Sequence, residues 1–192
     1  GAGGMRMCRT EFLQKLHWTQ RQFETLLIFD EVMTGFGRTG SLFAFEKAQV
    51  TPDLLCLSKG LSGGTLPLSA TVVGEEFYQS FQDAQDPYKT FYHGHSYTAN
   101  PIACASGRTS LELLQQKTKD GVMIYEESAK LLDPLFERLK NHPKLSKARK
   151  LGNIIAFDLL GSNSDDRYLA DIGFEIKKKA PEHGLLIRPL GN

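Results

Sequence analysis

Two short apolar runs, each ending in a charged residue, constrain the fold of this chain more than any other feature. The run Leu26–Phe29 is followed by the acidic residues Asp30 and Glu31. The run Leu54–Ser58 is followed by Lys59 and then by the glycine-rich sequence GLSGG. Short apolar runs bounded by turn residues are typical of buried strands, and their spacing along the chain predicts an α/β fold.

The charges that end these runs indicate a cofactor site. Ligands collect at the carboxyl ends of buried strands in α/β sheets, and an amine and a carboxylate there suggest pyridoxal phosphate. In such a site Lys59 would bond to the cofactor aldehyde, Asp30 would pair with the pyridine nitrogen, and Val32 would pack on the ring. Considered alone, Lys59 is best interpreted as a solvated lysine of a loop, and Asp30 could equally well be a cap of a helix or turn. Their occurrence together favours the cofactor site.

The composition is that of an ordinary soluble protein of one or two domains. The chain has 192 residues, with 23 Lys and Arg against 22 Asp and Glu, which gives a net charge of +1. This balance gives no support for binding to nucleic acid or to a membrane surface, and no run approaches the roughly 20 apolar residues of a membrane span. Three widely spaced cysteines predict reduced thiols, and with no signal peptide in this sequence we expect a cytoplasmic protein.

The first part of the chain is predicted to form the larger unit, residues 1–118. Thr10 is a candidate N-cap for a helix reaching about Phe23, and Asn100 with Pro101 is typical of the start of another helix. Besides the two runs above, we expect a third strand at Leu68–Val73, and this succession of strands indicates an α/β sheet.

Residues 119–192 are predicted to form a smaller α+β domain. We expect one helix over about 123–139, a strand over about 153–159, a helix near 168–182 and a strand near 185–188. Arg188 would end that last strand, where it is either a clamp for a substrate carboxylate or a surface arginine.

Two other motifs give weaker signals. The loop Gly35–Gly40 lacks the spacing and the lysine of a phosphate-binding loop. His93 and His95 have no neighbouring cysteine or paired carboxylates, and we interpret them as loop residues rather than metal ligands.

Several sequence runs resemble a known family. LIFDEVMTGFGRTG at 27–40 and PDLLCLSKGL at 52–61 are similar to the signature of class III (subgroup II) aminotransferases, which have pyridoxal fold type I. This resemblance implies an α/β large domain, present in part, whose sheet is mixed and mostly parallel. GGTLPLSAT at 63–71, HGHSYTANP at 93–101 and the two ends of the chain are similar to one branch of that family. The enzymes of this branch transfer an amino group from S-adenosylmethionine to 8-amino-7-oxononanoate in biotin biosynthesis.

The resemblance implies roles for individual residues. Lys59 would hold pyridoxal 5′-phosphate and act as the catalytic base, Asp30 would pair with the pyridine nitrogen, and Val32 would pack on one ring face. Ser96 would bind the phosphate in the neighbouring subunit's site, which implies a homodimer with shared active sites. The residues implied to contact small-molecule substrates are Arg188, for the keto-acid carboxylate, Gly94 and Arg38.

The resemblance also implies that this chain is part of a larger enzyme. It matches the second half of the large cofactor domain and most of the small C-terminal domain, so we expect the chain by itself to be inactive. Two alternatives stay open: another class III aminotransferase, acting on an ω-amino acid or a diamine, and a non-catalytic remnant of such an enzyme.

Overall fold

The computed structural model describes residues 4–82, 85–160, 172–187 and 189. The chain divides into two compact units. The first, which we call the sheet unit, comprises residues 9–132 and 151–154, and the second, the C-terminal unit, comprises residues 1–8, 133–150 and 155–192. The domain boundary at residue 118 stays a prediction.

A three-stranded sheet organises the sheet unit. Its strands are β1 (Ile28–Asp30), β2 (Leu54–Leu57) and β3 (Ala70–Val73), in the spatial order β1-β2-β3. β1 and β2 are parallel, and β2 and β3 are antiparallel, so the expected mixed sheet is confirmed. All three expected strands form, although β1 and β3 each start two residues later than predicted.

Helices of the sheet unit connect and cover these strands. They are α1 (Thr10–Gln22), α2 (Glu75–Ser80), α3 (Pro101–Leu114) and α4 (Ile124–Leu131), with short 3₁₀ helices at Ala44–Ala48, Lys59–Ser62 and Pro87–Lys89. The start of α3 is as predicted, because the Asn100 side chain accepts hydrogen bonds from the backbone N–H groups of Ile102 and Ala103. α1 begins at Thr10 itself, so Thr10 is not its N-cap.

The core of the sheet unit lies where β2 meets the loop after β1. Phe36, Leu55 and Leu57 are buried together, and partly buried residues pack around them: Phe29, Phe43, Phe45, Leu61, Leu111 and Leu114. The ring of Phe43 lies edge-on to Phe36, with 5.5 Å between the ring centroids. Burial of these aromatic and aliphatic side chains therefore holds the carboxyl ends of β1 and β2 and the loops that follow them.

The C-terminal unit contains α5 (Asp133–Lys140), β4 (Leu145–Leu151), β5 (Ile154–Leu159) and α6 (Ile172–Lys179), with a 3₁₀ helix at Ala180–His183. β4 and β5 form a two-stranded sheet, and residues 151–154, which are the end of β4, the two-residue connection and the start of β5, are grouped with the sheet unit. The Arg149 guanidinium donates to Asp158 Oδ1 over 3.0 Å and also to the backbone oxygens of Gly4 and Met5. This arginine therefore joins β4, β5 and the first described residues of the chain.

Two expectations for the later part of the chain are wrong. The single helix predicted over about 123–139 is two helices, because Pro134 has no N–H to donate to a preceding turn and instead lies at the start of α5. The strand predicted near 185–188 does not form at Leu185–Ile187, since within the described residues no strand pairs with this run.

Apolar side chains remain exposed on the sheet. All four residues of β3 are exposed, and so is Ile28 on β1. β1 and β3 are the edges of the sheet within the described part of the chain. Among those same residues, no helix combines the length and the apolar character needed to cross a membrane.

Candidate active site

Asp30 and Lys59 lie at the carboxyl ends of two neighbouring parallel strands. Asp30 is the last residue of β1 and pairs in register with Cys56 on the parallel strand β2, and Lys59 follows two residues after the end of β2. The backbone N–H of Glu31 donates to the Cys56 carbonyl over 2.9 Å, which continues this pairing past the end of β1. Both charged side chains are exposed. The parallel strands thus place a carboxylate and an amine where ligands usually bind in α/β sheets.

Asp30 is oriented by its own turn. Its Oδ1 accepts a hydrogen bond of 3.0 Å from the backbone N–H of Val32, which is typical of an aspartate that begins a turn. The side chain of Val32 is half-buried. This local bond uses one oxygen of the carboxylate, and Oδ2 has no hydrogen bond to any residue that the structure describes.

Glu31, the other member of the acidic pair, is a site residue that sequence reasoning missed. Its side chain is 3% exposed and accepts bonds from the backbone N–H groups of Ala44 (2.7 Å) and Phe45 (2.9 Å) and from the Thr34 hydroxyl (3.1 Å). A buried carboxylate needs such donors, because an unpaired charge in the interior is strongly unfavourable. Glu31 therefore closes the loop that follows Asp30. Nothing in the local sequence distinguishes its burial from the exposure of Asp30.

The loop Thr34–Gly40 carries Arg38 on its surface. The Arg38 side chain is exposed, while its carbonyl accepts a bond of 2.9 Å from the backbone N–H of Asn153. The Asn153 amide donates to the carbonyls of Gly37 and Tyr125, over 3.2 and 3.1 Å. The loop backbone is therefore held at Gly37 and Arg38, while the Arg38 side chain is exposed.

Tyr125 packs against the same loop. A Cβ atom added to Gly37 would lie 2.5 Å from the Cβ of Tyr125, so only glycine fits there. Burial, with smaller contributions from Glu126 and Glu46, raises the pKa of the Tyr125 hydroxyl above its usual value of 10.0.

Lys59 has an unusual backbone conformation. Its φ is +43°, in the left-handed region that L-residues other than asparagine and aspartate seldom occupy. A Cβ added to Gly60 would lie 2.6 Å from the Cβ of Phe36, so the chain after Lys59 passes directly against the buried ring of Phe36. The Ser58 hydroxyl donates to the Leu68 carbonyl over 2.8 Å. Backbone strain of this kind persists only where the surroundings impose it, and it is common at functional sites.

The other predicted site residues are not joined to this pair. Gly94 and Ser96 lie in an exposed segment whose hydrogen bonds are internal, such as that from the His95 N–H to the Thr98 hydroxyl. Within the described residues, no hydrogen bond or ion pair links Gly94 or Ser96 to Asp30 or Lys59. Arg188 lies outside the described residues. The described residues include no cluster of three or more His, Cys, Asp and Glu that could hold a metal ion.

Comparison with known sequences identifies the family. The family pattern described as Aminotransferase class-III matches residues 1–192. The chain belongs to the class-III aminotransferases. The family resemblance that the signature runs indicated is confirmed, and the match extends over the whole chain.

Relatives within the class-III aminotransferases share one name. The chain is 50% identical over 192 residues to the adenosylmethionine-8-amino-7-oxononanoate aminotransferase of Synechococcus elongatus, covering 100% of this chain and 44% of that protein. It is 37% identical over 198 residues to the protein of the same name from Helicobacter pylori, covering 100% and 43%. The chain thus spans less than half the length of these relatives.

Solved class-III aminotransferase structures share the fold. The adenosylmethionine-8-amino-7-oxononanoate aminotransferase of Methanocaldococcus jannaschii superposes with a TM-score of 0.85 at 31% identity, covering 100% of this chain and 45% of that one. A PLP-bound amine transaminase from an uncultivated Pseudomonas species gives 0.84 at 31% identity, covering 100% and 44%. These matches confirm the expected α/β architecture as part of a pyridoxal fold type I enzyme.

Proposed function

We propose that the whole protein that contains this chain is a pyridoxal-phosphate-dependent aminotransferase. It would transfer an amino group from S-adenosylmethionine to 8-amino-7-oxononanoate, a step of biotin biosynthesis. The observation that carries the proposal is that Asp30 and Lys59 lie at the carboxyl ends of two neighbouring parallel strands, in a chain 50% identical to the relative of that name.

The residues at the carboxyl ends of β1 and β2 fit the cofactor. Lys59 offers an exposed primary amine on a backbone held by its surroundings, and Asp30 offers a carboxylate with Oδ2 available for a further hydrogen bond. Val32, two residues after Asp30, offers a half-buried apolar side chain. Amine, carboxylate and apolar surface are the three features that a pyridoxal ring requires of its site.

Each residue then has a distinct task. The cofactor, when bound, supplies the electron-withdrawing ring on which amino transfer depends. Asp30 would hold a proton on the pyridine nitrogen, because a carboxylate stabilises the positive charge there. Lys59 would anchor the cofactor, and its Nζ would accept and return a proton as the general base. Val32 would exclude water from one face of the ring.

The remaining assignments rest on family resemblance. Ser96 would bind the cofactor phosphate in the partner's site, which requires a homodimer, and Gly94 would line the substrate pocket. Arg38 would contact substrate from its fixed loop, and Arg188 would receive the keto-acid carboxylate as a planar two-donor clamp. We place the enzyme in the cytoplasm, without nucleic-acid or membrane partners.

A second candidate is an amine or ω-amino-acid transaminase of the same family. A thermostable omega transaminase gives a TM-score of 0.87 at 28% identity, covering 100% of this chain and 43% of that one. The backbone therefore fits both candidates equally well, and the proposal favours the first because its relatives reach the higher sequence identity.

The test is a substrate comparison with the whole protein. We expect the protein, given pyridoxal phosphate, to form 7,8-diaminononanoate from S-adenosylmethionine and 8-amino-7-oxononanoate, and Lys59→Ala to lose this activity. Lys47→Ala, which changes an exposed lysine of the same unit, is the matched control.

Turnover of simple amines or ω-amino acids, with none of 8-amino-7-oxononanoate, would establish the second candidate instead. Normal turnover by Lys59→Ala would remove Lys59 from the mechanism. A whole protein that bound the cofactor and transferred no amino group to any acceptor would be a non-catalytic remnant.

A further inference from the structure

One face of α3 lies directly on the turn that begins at Lys59. This face consists of small residues at helical spacing: Ala103, Ser106, Gly107 and Ser110. A Cβ added to Gly107 would lie 3.0 Å from Leu68 Cδ2 and 3.4 Å from the Leu61 carbonyl oxygen. The helix backbone at Gly107 therefore packs closely against Leu68 and lies beside the turn at Leu61.

Two serines on this face bind the backbone of the turn. The Ser110 hydroxyl donates to the Gly60 carbonyl over 2.9 Å, and the Ser106 hydroxyl donates to the Ser62 carbonyl, also over 2.9 Å. Both carbonyls already accept backbone bonds, Gly60 from the N–H of Gly63. A carbonyl oxygen has two lone pairs, so Ser110 fills the second acceptor position of Gly60. Ser106 shares the Ser62 carbonyl with Thr65, whose hydroxyl also donates to it over 2.8 Å.

The turn is thus held from two sides. On the core side, the Phe36 side chain packs against Gly60. On the other side, two serine hydroxyls of α3 bind the carbonyls of Gly60 and Ser62. Lys59 itself has a left-handed backbone conformation, which a lysine adopts only when its neighbours impose it. The serine bonds are direct candidates for that constraint, because they fix the residues immediately after Lys59.

We infer that Ser106 and Ser110 are positioning residues for Lys59. They act through the backbone of the turn Lys59–Ser62 and set the direction in which the lysine side chain leaves the chain. The inference rests on the proposed cofactor role of Lys59. Its structural part, that the two hydroxyls hold the turn, can be measured without cofactor.

The first measurement is amide hydrogen exchange in the whole protein, with and without substitutions on α3. The N–H groups of Leu61 and Gly63 donate within the turn and report its opening. Ser110→Ala should raise their exchange rates roughly threefold to tenfold, the effect of one lost hydrogen bond, and Ser106→Ala/Ser110→Ala should raise them further. Ser110→Thr keeps the hydroxyl and should restore protection.

Thr109→Ala is the matched control, since Thr109 is an exposed hydroxyl residue on the same helix. It should leave exchange in the turn unchanged. Equal rates in Ser110→Ala and Thr109→Ala would overturn the inference, and so would failure of Ser110→Thr to restore protection. Exchange raised equally in β1 and β2 would mean general loosening and would also overturn it.

The second measurement reports on the lysine side chain. The protein is treated with pyridoxal phosphate and borohydride, and the labelled lysines are located by mass spectrometry. We expect labelling at Lys59 in the wild type, and about a tenfold or greater fall in the ratio of Lys59 to Lys47 labelling in the double variant. An unchanged ratio would overturn the positioning role.

The two proposals fail in different ways. If the wild type is not labelled at Lys59, the proposed cofactor role of this residue fails, while the exchange rates still decide whether the serines hold the turn. If the wild type is labelled at Lys59 and the double variant is labelled equally well, the positioning role alone fails.

Discussion

The turn Lys59–Ser62 and the segment from Phe91 to Tyr97 are held in place by different means. The turn is fixed by residues distant in sequence: Phe36 packs against Gly60, and the hydroxyls of Ser106 and Ser110 bind its carbonyls. The segment is exposed throughout, and its hydrogen bonds and ring contacts come from nearby in sequence, such as the tilted contact between the rings of Phe81 and Phe91, whose centroids lie 5.0 Å apart. Contacts from distant parts of the chain therefore hold the turn in place. The segment has mainly local contacts within the described residues, so its conformation depends more on what packs against it.

The difference matters because both regions carry proposed cofactor residues. Lys59 has its backbone conformation imposed from within the sheet unit, so its position is a property of this chain. Ser96 has no such support among the described residues, which agrees with a role that becomes effective only against a partner subunit. Substitutions in the two regions should therefore have unequal effects on stability.

The largest effect on stability is expected at Glu31. Like the turn Lys59–Ser62, the loop that Glu31 closes is held by contacts with residues distant in sequence. Glu31→Gln would turn an NH₂ group toward the N–H groups of Ala44 or Phe45, so that donors face donors inside the protein. We expect a loss of about 2–3 kcal/mol in the free energy of unfolding, measured by urea denaturation of the whole protein. Glu127→Gln, an exposed position on α4, should change it by less than about 0.5 kcal/mol. Equal effects at the two sites would show that Glu31 does not support the loop.

A smaller effect is expected from the backbone strain at Lys59. Lys59→Gly should be more stable than Lys59→Ala by about 0.5–1 kcal/mol, because glycine has no Cβ to oppose a φ of +43°. The same denaturation experiment, run without cofactor, measures this difference. Comparing glycine with alanine removes the contribution of the amine, which both variants lack. An alanine variant as stable as the glycine variant would mean that the turn is not strained.

The smallest effect on stability is expected at Ser96. Ser96→Ala should change the free energy of unfolding by less than about 0.5 kcal/mol, since the side chain is exposed. Its effect should appear in activity instead. Equimolar mixing of Lys59→Ala and Ser96→Ala subunits would restore one complete site in each mixed dimer, and about a quarter of wild-type activity overall. An active monomer, established by sedimentation, would contradict the shared site.

The parts of the molecule that could be predicted are those governed by local sequence. Asp30 and Lys59 follow apolar runs that can be recognised without partners, and Asn100 with Pro101 forms its cap within three residues. Glu31 could not be assigned, because its burial depends on donors 13 and 14 positions away. The Ser106 and Ser110 bonds span 44 and 50 positions and leave no local signal.

The errors have the same origin. β4 was not predicted, because its polar sequence becomes a strand through cross-strand pairs such as Arg149 and Lys147 with Asp158. The reverse holds at Leu185–Ile187, where an apolar run lacks a strand to pair with among the described residues and stays irregular. In both cases strand formation depends on pairing with a second strand, which the residues of the run do not reveal by themselves.

The parallel register of β1 and β2 has a consequence for how such a chain tolerates insertions. The spacing between Asp30 and Lys59 is fixed by backbone pairing, Asp30 with Cys56, and not by the number of residues between them. An extra residue at the exposed Gln49 or Thr51 would bulge outward and leave both charges where they are. An extra residue within β2 would displace Lys59 by about 3.3 Å along the strand or turn its neighbours to the opposite face. Lengths of homologous chains should therefore vary in the connection and stay constant from Leu54 to Lys59.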